Sequence, residues 1–295
     1  MSKIVSGTAA RQKKLRRAGL QAFLITMSVI WLLPLLWAVY TSFRPYAETA
    51  KYGYVSIAGT YSLDNYSNSF TQGDLPKYFL NTVIILVPAV ILVLFLSSMM
   101  AFTVSRYSWR FNLILLMVFS GANLLPPQVI ITPLFRMFLV LPMFSPLSDN
   151  GVLYDQYVGI TLIHVAFQMG FCTFVLSNYM KTIPKALNEA AVVDGASVWK
   201  TYWTIILPLT RPALAALATL QVTWIYNDFF WALVLMKTGA RYPITSALNN
   251  LKGQFFTDNN LIAAGSVLVA IPTLIVFFAL QKQFVSGLTL GSTKE

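Results

Sequence analysis

Apolar residues in this chain come in six long runs, at roughly 18–43, 78–103, 112–134, 157–178, 209–236 and 260–281. A helix needs about 20 mostly apolar residues to cross a bilayer, and each run supplies them. Each also carries Pro or Gly within it or at an end, which helices packed among other helices tolerate. The pattern predicts an all-α integral membrane protein with six transmembrane helices. The longest polar segment, 44–77, contains Asp64, Asn65, Asn68, Gly73 and Asp74 and reads as a surface loop. Arg11, Lys13, Lys14, Arg16 and Arg17 precede the first run in the manner of a secretory signal. That run is about 26 residues, longer than a signal's apolar core, and no small-residue cleavage site follows it. It is expected to be a retained first span.

Composition agrees. The chain has 295 residues, 57% hydrophobic and 11% charged, with a mean hydropathy of +0.65. An ordinary soluble domain is about 25% charged. The net charge of +11 would suit a nucleic-acid partner in a soluble protein, but its placement points elsewhere. With the N-terminus in the cytoplasm, fourteen of the 21 Lys and Arg fall on inner segments and seven on outer ones. Most of the outer ones share their loops with Asp or Glu. This bias predicts both termini inside and accounts for the basic charge without nucleic acid. The expected divisions are a basic cytoplasmic N-terminus (1–17), a six-span domain (18–281) with a cytoplasmic loop at 179–208, and a cytoplasmic tail (282–295). The single Cys172 excludes a disulfide framework within the chain. His164, the single histidine, reads as a packed or pore-facing imidazole, or else as a metal or proton-relay group. The aromatic content of 14% fits packing and an interfacial belt, with Trp31, Trp37 and Trp109 as members.

The loop at 179–208 is not greasy like its flanks. Pro184 suits a first helical turn, where its missing N–H costs nothing. Lys185 to Val193 then predicts a short helix with Ala186, Leu187, Ala190, Ala191 and Val193 on an apolar side. Gly195 stands where a left-handed C-cap belongs. Ser197 can cap a second helix toward Ile206, and Leu207-Pro208-Leu209 leads into the fifth span. An interfacial helix lying on headgroups usually has a Lys/Arg face opposite bulky apolar residues. Glu189 and Asp194 beside two alanines favour docking to a protein instead.

These residues carry a resemblance. Glu189-Ala190-Ala191, three residues, Gly195, nine residues, Ile205, one residue, then Leu207-Pro208 resembles the EAA loop of membrane subunits of bacterial ABC importers. Asn81-Thr82, Pro126-Pro127, Pro133-Leu134, the run Trp224 to Phe229 and the tail from Gln281 to Leu288 resemble the carbohydrate-importing branch, and within it the maltose-permease G-type subunits. Three features depart from that pattern. Tyr226 precedes Asn227-Asp228 where Trp is frequent, Lys282 follows Gln281 where Arg is common, and the 136–156 outer loop is long.

The resemblance implies an ABC type I importer permease fold in the bacterial cytoplasmic membrane. It implies that Glu189, Ala190, Ala191, Asp194, Gly195 and Pro208 couple to a cytoplasmic ATPase present in two copies. It further implies a heterodimer with a second homologous permease subunit, and an extracytoplasmic sugar-binding protein. No cofactor is expected on this chain; ATP and Mg belong to the ATPase subunits. The tail from Ser286 lies near the ATPase interface or is a frayed end.

The sequence has no nucleophile–base pair, no GxxxxGKS or GxxxxGKT loop and no cluster of carboxylates with His, so a non-catalytic subunit is expected. Polar residues at membrane depth are candidates for the substrate path. They are Asn123 and Gln128 in the third run, His164 and Gln168 on one helix face in the fourth, and Trp224, Tyr226, Asn227 and Asp228 in the fifth. The competing account has them satisfying one another or helix backbones. An ion-coupled secondary transporter is the rival reading, but it leaves the EAA loop without purpose. An ABC permease for a non-sugar solute is the other.

Overall fold

The computed structural model describes residues 2–108, 110–123, 125–251 and 257–289. The helices are α1 Ser2–Ser42, α2 Tyr46–Tyr52, α3 Asp64–Thr71, α4 Leu75–Arg106, α5 Asn112–Ala122, α6 Pro127–Val140, α7 Tyr157–Thr182 and α8 Ala186–Val193. They continue with α9 Val198–Leu209, α10 Arg211–Tyr226, α11 Phe230–Leu235, α12 Ile244–Ala247 and α13 Asn259–Thr289. Four helices among the described residues are long and apolar enough to cross a membrane, and a fifth span results if α9 and α10, bent by 72°, are taken as one. Trp109 lies outside the described residues. So do residues 290–295 of the expected tail; its earlier part continues α13 to Thr289.

Two of the six runs are not continuous helices. The third breaks between Ala122 and Pro127 into α5 and α6. Pro126-Pro127 explains this, because proline lacks a donor and pushes the preceding residue out of the helical region. The fifth breaks after Tyr226 and resumes at Phe230. The 44–77 segment also differs from a plain loop, since it contains α2 and α3.

The chain forms two compact units, one of Met1–Gln72 with Lys252–Leu268 and the other of Gly73–Leu251 with Val269–Glu295. In the first, Arg44 is wholly buried. Its guanidinium donates to the carbonyls of Gly53 and Tyr54 and to Ser56 Oγ. Its own carbonyl accepts from the amides of Asn65 (2.8 Å) and Asn260 (2.9 Å). A buried charge is tolerated only when hydrogen-bonded in this way, and the knot joins the end of α1 to α3 and the start of α13.

In the second unit α4 and α7 pack along their lengths. Ala89, Ser97, Ala101, Cys172, Thr173 and Ser177 have no exposed surface, so small residues let the backbones approach. Ser97 Oγ bonds Met169 O across that seam at 3.1 Å. One apolar cluster joins Phe102, Leu176, Met180, Tyr202, Ile206 and Leu217. A second joins Ile85, Phe138, Ile163, Trp231 and Leu235. Arg106 donates to Met180 O (2.7 Å) and Ile183 O (3.0 Å), satisfying carbonyls that the end of α7 leaves open. At the far end, Asn81 donates to Ala240 O and Tyr242 O, and Thr82 Oγ1 accepts from Ile244 N. The Asn81-Thr82 pair thus anchors the turn that leads into α12.

Candidate functional site: the 184–209 hairpin and the intramembrane polar residues

The hairpin at 184–209 is built from local chemistry. Leu187 N–H reaches Pro184 O at 3.3 Å, and the amides of Asn188 and Glu189 reach Lys185 O. Lys185 is therefore the cap and Ala186 the first helical residue, one position later than the sequence suggests. At the other end Gly195 has φ +72°. Gly195 N–H bonds Val192 O (3.0 Å) and Ala196 N–H bonds Ala191 O (2.9 Å). This double closure is the Schellman arrangement, in which glycine supplies the left-handed residue without a Cβ penalty. Ser197 Oγ then accepts from Lys200 N at 3.2 Å and starts α9.

α9 does not run regularly to its end. Residues Tyr202–Ile206 form a π turn, with Leu207 N–H reaching back to Tyr202 O. The half-buried Pro208 that follows has no N–H to give, and the chain bends at Thr210. Trp199, Tyr202 and Trp203 pack in tilted and edge-to-face contacts about the π turn, and Tyr202 Oη shares a 2.7 Å hydrogen bond with Ser98. That side of the hairpin is fixed to α4.

The other side is open. In α8 only Ala191 is buried, while Glu189, Ala190, Val192, Val193 and Asp194 are exposed, Val193 at 86%. The result is a knuckle with a carboxylate, Ala190 and two exposed valines on it, uncovered among the described residues.

The intramembrane candidates divide into three groups. Asn123 and Gln128 are exposed on the two sides of the α5–α6 break, and Asn123 Nδ2 donates to Phe119 O at 2.9 Å. Gln168 meets Gln221, whose Nε2 lies 3.5 Å from Gln168 Oε1 and 3.1 Å from Cys172 Sγ. Gln221 is wholly buried, and its Oε1 makes no hydrogen bond among the described residues. Gln221 is not among the residues expected from sequence. The signal was present, because it is a primary amide inside the apolar run from Ala213 to Ile225.

The third group surrounds the break in the fifth run. Trp224 is partly exposed and packs on Phe171, with ring centroids 5.3 Å apart. Tyr226, proposed from sequence for the path, is buried, and its hydroxyl donates to Val269 O at 2.9 Å. That ring packs against α13 and is 5% exposed. Asn227 Nδ2 turns back to Thr223 O at 2.8 Å. Asp228 Oδ1 accepts from Trp231 N–H at 3.3 Å in the first turn of α11. Its carbonyl accepts from the Thr245 hydroxyl. His164 is buried, with Nε2 3.6 Å from Asp228 Oδ2.

On the segment that joins α6 to α7, Asp155 is held in the left-handed region at φ +64°. Its carboxylate accepts from Lys237 N (2.8 Å), Thr238 N (2.9 Å) and Thr238 Oγ1 (2.6 Å). Arg241 bonds Asp155 O at 2.8 Å and pairs with Asp149. Burial works to raise this carboxyl, but those hydrogen bonds and the Arg241 charge outweigh it and leave it below its ordinary value.

Residues 93–289 match the family described as binding-protein-dependent transport system inner membrane component. The chain is 29% identical over 274 residues to the diacetylchitobiose uptake system permease protein NgcG of Streptomyces coelicolor, covering 92% of this chain and 87% of that protein. It is 31% identical over 278 residues to the osmoprotective compounds uptake permease protein GgtD of Synechocystis, covering 92% and 90%. It is 30% identical over 287 residues to a probable starch degradation products transport system permease protein, AmyC of Thermoanaerobacterium thermosulfurigenes, covering 95% and 100%. A solved bacterial ABC transporter involved in import of the acidic polysaccharide alginate contains a chain of the same fold. The TM-score is 0.77 at 20% identity, over 93% of this chain and 98% of that one. With its apolar helices, its EAA hairpin and these matches, the chain belongs to the inner membrane components of binding-protein-dependent transport systems, the permease subunits of ABC importers.

Proposed function

We propose that this chain is one of two transmembrane subunits of an ATP-driven carbohydrate importer in the bacterial cytoplasmic membrane. Its termini lie in the cytoplasm in six-span topology, and its hairpin couples the pore to an ATPase. The observation that carries the coupling role is the open knuckle of α8, closed at Gly195 and left uncovered among the described residues. Glu189 offers a carboxylate to basic or donor groups of the ATPase, and the exposed Ala190 permits close approach, whereas Ala191, expected from sequence on that surface, is buried against its own chain. Because α9 is fixed to α4 through Ser98 and Tyr202, a push on α8 reaches the membrane helices as a rigid-body movement. The carbohydrate reading draws on the relatives that take up diacetylchitobiose and starch degradation products. The remaining parts are a second, homologous permease subunit, two ATPase copies that hold ATP and Mg, and an extracytoplasmic binding protein.

The test is purification of the tagged chain in gentle detergent from its host, followed by reconstitution of everything retained into liposomes. Retention of a Walker-motif ATPase and a second multi-span protein, with ATP-dependent uptake of a neutral oligosaccharide, is the expected result. Uptake driven by an ion gradient with no ATPase retained would overturn it in favour of a secondary transporter. ATP-driven uptake of a compatible solute alone would favour the non-sugar reading, which the GgtD relative supports.

A further inference from the structure

The segment between α2 and α3 exposes apolar side chains that a water-facing loop would hide. Val55 is 86% and Ile57 89% exposed, and Tyr52, Tyr61 and Leu63 are exposed with them. No Asp, Glu, Lys or Arg occurs between Gly53 and Leu63.

The backbone sets the level at which these side chains sit. Tyr40 belongs to the last turns of α1, inside the apolar window Lys13–Ser42. Its hydroxyl donates to Ser56 O (3.0 Å) and accepts from Ala58 N–H (2.7 Å). Arg44 holds Tyr54 O at 3.1 Å and Ser56 Oγ at 2.8 Å. Ser62 N–H returns to Phe43 O at 2.8 Å. Glu48 closes the base by accepting from Gly59 N and Thr60 Oγ1. Residues 53–62 are therefore folded back onto the end of the helix that leaves the bilayer. Within them alternate residues divide. Ser56 is engaged by Arg44 and Ala58 is buried, while Val55 and Ile57 are left open. Lys51 lies over the Tyr52 ring at 4.9 Å. A cation beside an aromatic ring at a span end is the arrangement of a membrane interface. α1 continues the same surface, since its most apolar 18-residue stretch has no buried residue, burial beginning only at Thr41 and Ser42.

We propose that residues 52–63 form an interfacial anchor. Val55, Ile57, Tyr52 and Tyr61 enter the boundary between headgroups and acyl chains in the leaflet at the C-terminal end of α1. In the orientation proposed above this is the extracytoplasmic leaflet. The occupant of this surface is lipid, because the strap sits at the level of the span end, is uncharged, and is continuous with a lipid-length helix. Tyrosines such as Tyr52 and Tyr61 are enriched at that boundary, where the ring meets lipid and the hydroxyl meets water. The Arg44 knot gives the anchor a fixed shape rather than a floppy one.

The test uses the assembled transporter in phosphatidylethanolamine–phosphatidylglycerol liposomes, with a Cys172→Ser background. Val55→Cys and Ile57→Cys each receive a nitroxide, and Ser67→Cys on α3 is the exposed reference. Collision rates with oxygen, which concentrates in lipid, and with the polar reagent NiEDDA are compared by electron paramagnetic resonance. Oxygen rates above NiEDDA rates at 55 and 57, with the reverse at 67, are expected. NiEDDA dominating at 55 and 57 would overturn the proposal by showing water or a loosely held binding protein there. Low access to both reagents would overturn it in favour of a protein partner. Neither outcome bears on ATP coupling at α8, which is read separately by uptake.

Discussion

His164 Nε2 and Asp228 Oδ2 face each other at 3.6 Å, with side chains only 5% and 12% exposed, across the break between α10 and α11. The distance is longer than a hydrogen bond. Asp228 Oδ2 makes no hydrogen bond among the described residues, although Oδ1 is engaged by Trp231 N–H. A buried oxygen left unsatisfied is costly unless a nearby group offsets it. His164 is the group placed to do so. The same carboxyl group serves the first turn of α11 through Oδ1 while its other oxygen faces α7.

The two residues should therefore behave as a unit. His164→Leu leaves the buried carboxylate facing hydrocarbon and should lower the thermal midpoint of the assembled complex. Asp228→Asn should restore much of that loss in the double variant. A coupling energy of about 0.5–3 kcal/mol is expected for groups in contact. Purely additive midpoints in the four-member cycle would show that the two side chains do not interact.

At the hairpin, Gly195 separates two effects. With φ +72°, Gly195→Ala carries a backbone cost of about 1–2 kcal/mol in a short exposed turn. A Cβ there meets nothing within 4 Å in this chain. Gly195→Asp adds a charge beside Asp194 as well as bulk, so Gly195→Asn, which keeps the bulk without the charge, separates repulsion within the chain from a clash with a partner. The expected outcome is that Gly195→Ala keeps most uptake, whereas Gly195→Asp abolishes it with the permease still folded. Full uptake by Gly195→Asp would remove α8 from the coupling contact.

Much of that hairpin was legible in the sequence, because Pro184, Gly195 and Ser197 act on their own backbone within a few residues. The path residues were less legible. Tyr226 reads in sequence as a polar group at membrane depth, but its hydroxyl is bound to Val269 O, 43 residues away, and no periodicity reports such a bond. The breaks at 123–126 and 227–229 escaped the hydropathy reading because transfer energies do not register backbone geometry. The Arg44 knot pairs residues as far apart as Arg44 and Asn260, and Arg44 alone reads as an ordinary outer-loop charge. Tyr226→Phe should then cost about 1 kcal/mol of stability and leave the half-saturating substrate concentration unchanged. A rise in that concentration would return Tyr226 to the path.

Asp155 makes an acid-dependent brace. Its folded value is lowered, so its contribution is present above the ordinary carboxylate range near 3.9 and is lost as pH falls below that range through the depressed folded value. Asp155→Ala removes the acceptor of three hydrogen bonds and places alanine at φ +64°. A loss of roughly 2–4 kcal/mol at neutral pH is expected from those two sources. Chemical unfolding of wild type and variant from pH 7 to pH 3 should show the gap closing toward the acid end. A gap independent of pH would mean that the carboxylate charge contributes nothing.

Gly170 sets how closely α7 approaches α5. A Cβ there would lie 2.6 Å from Phe119 O and also strike Asn123 Nδ2. The first is backbone and cannot swing aside, so Gly170→Val must push α5 away from α7. Overpacking of this kind costs about 1–3 kcal/mol. The displacement would also move the α5–α6 break and with it Asn123 and Gln128. Gly170→Val should lower the thermal midpoint, and ATP hydrolysis should lose its dependence on transported solute. A Cβ at Gly121 on α5 would meet nothing within 4 Å, so Gly121→Ala is the matched control. Equal behaviour of the two variants would show that the close approach at Gly170 has no part in holding α5.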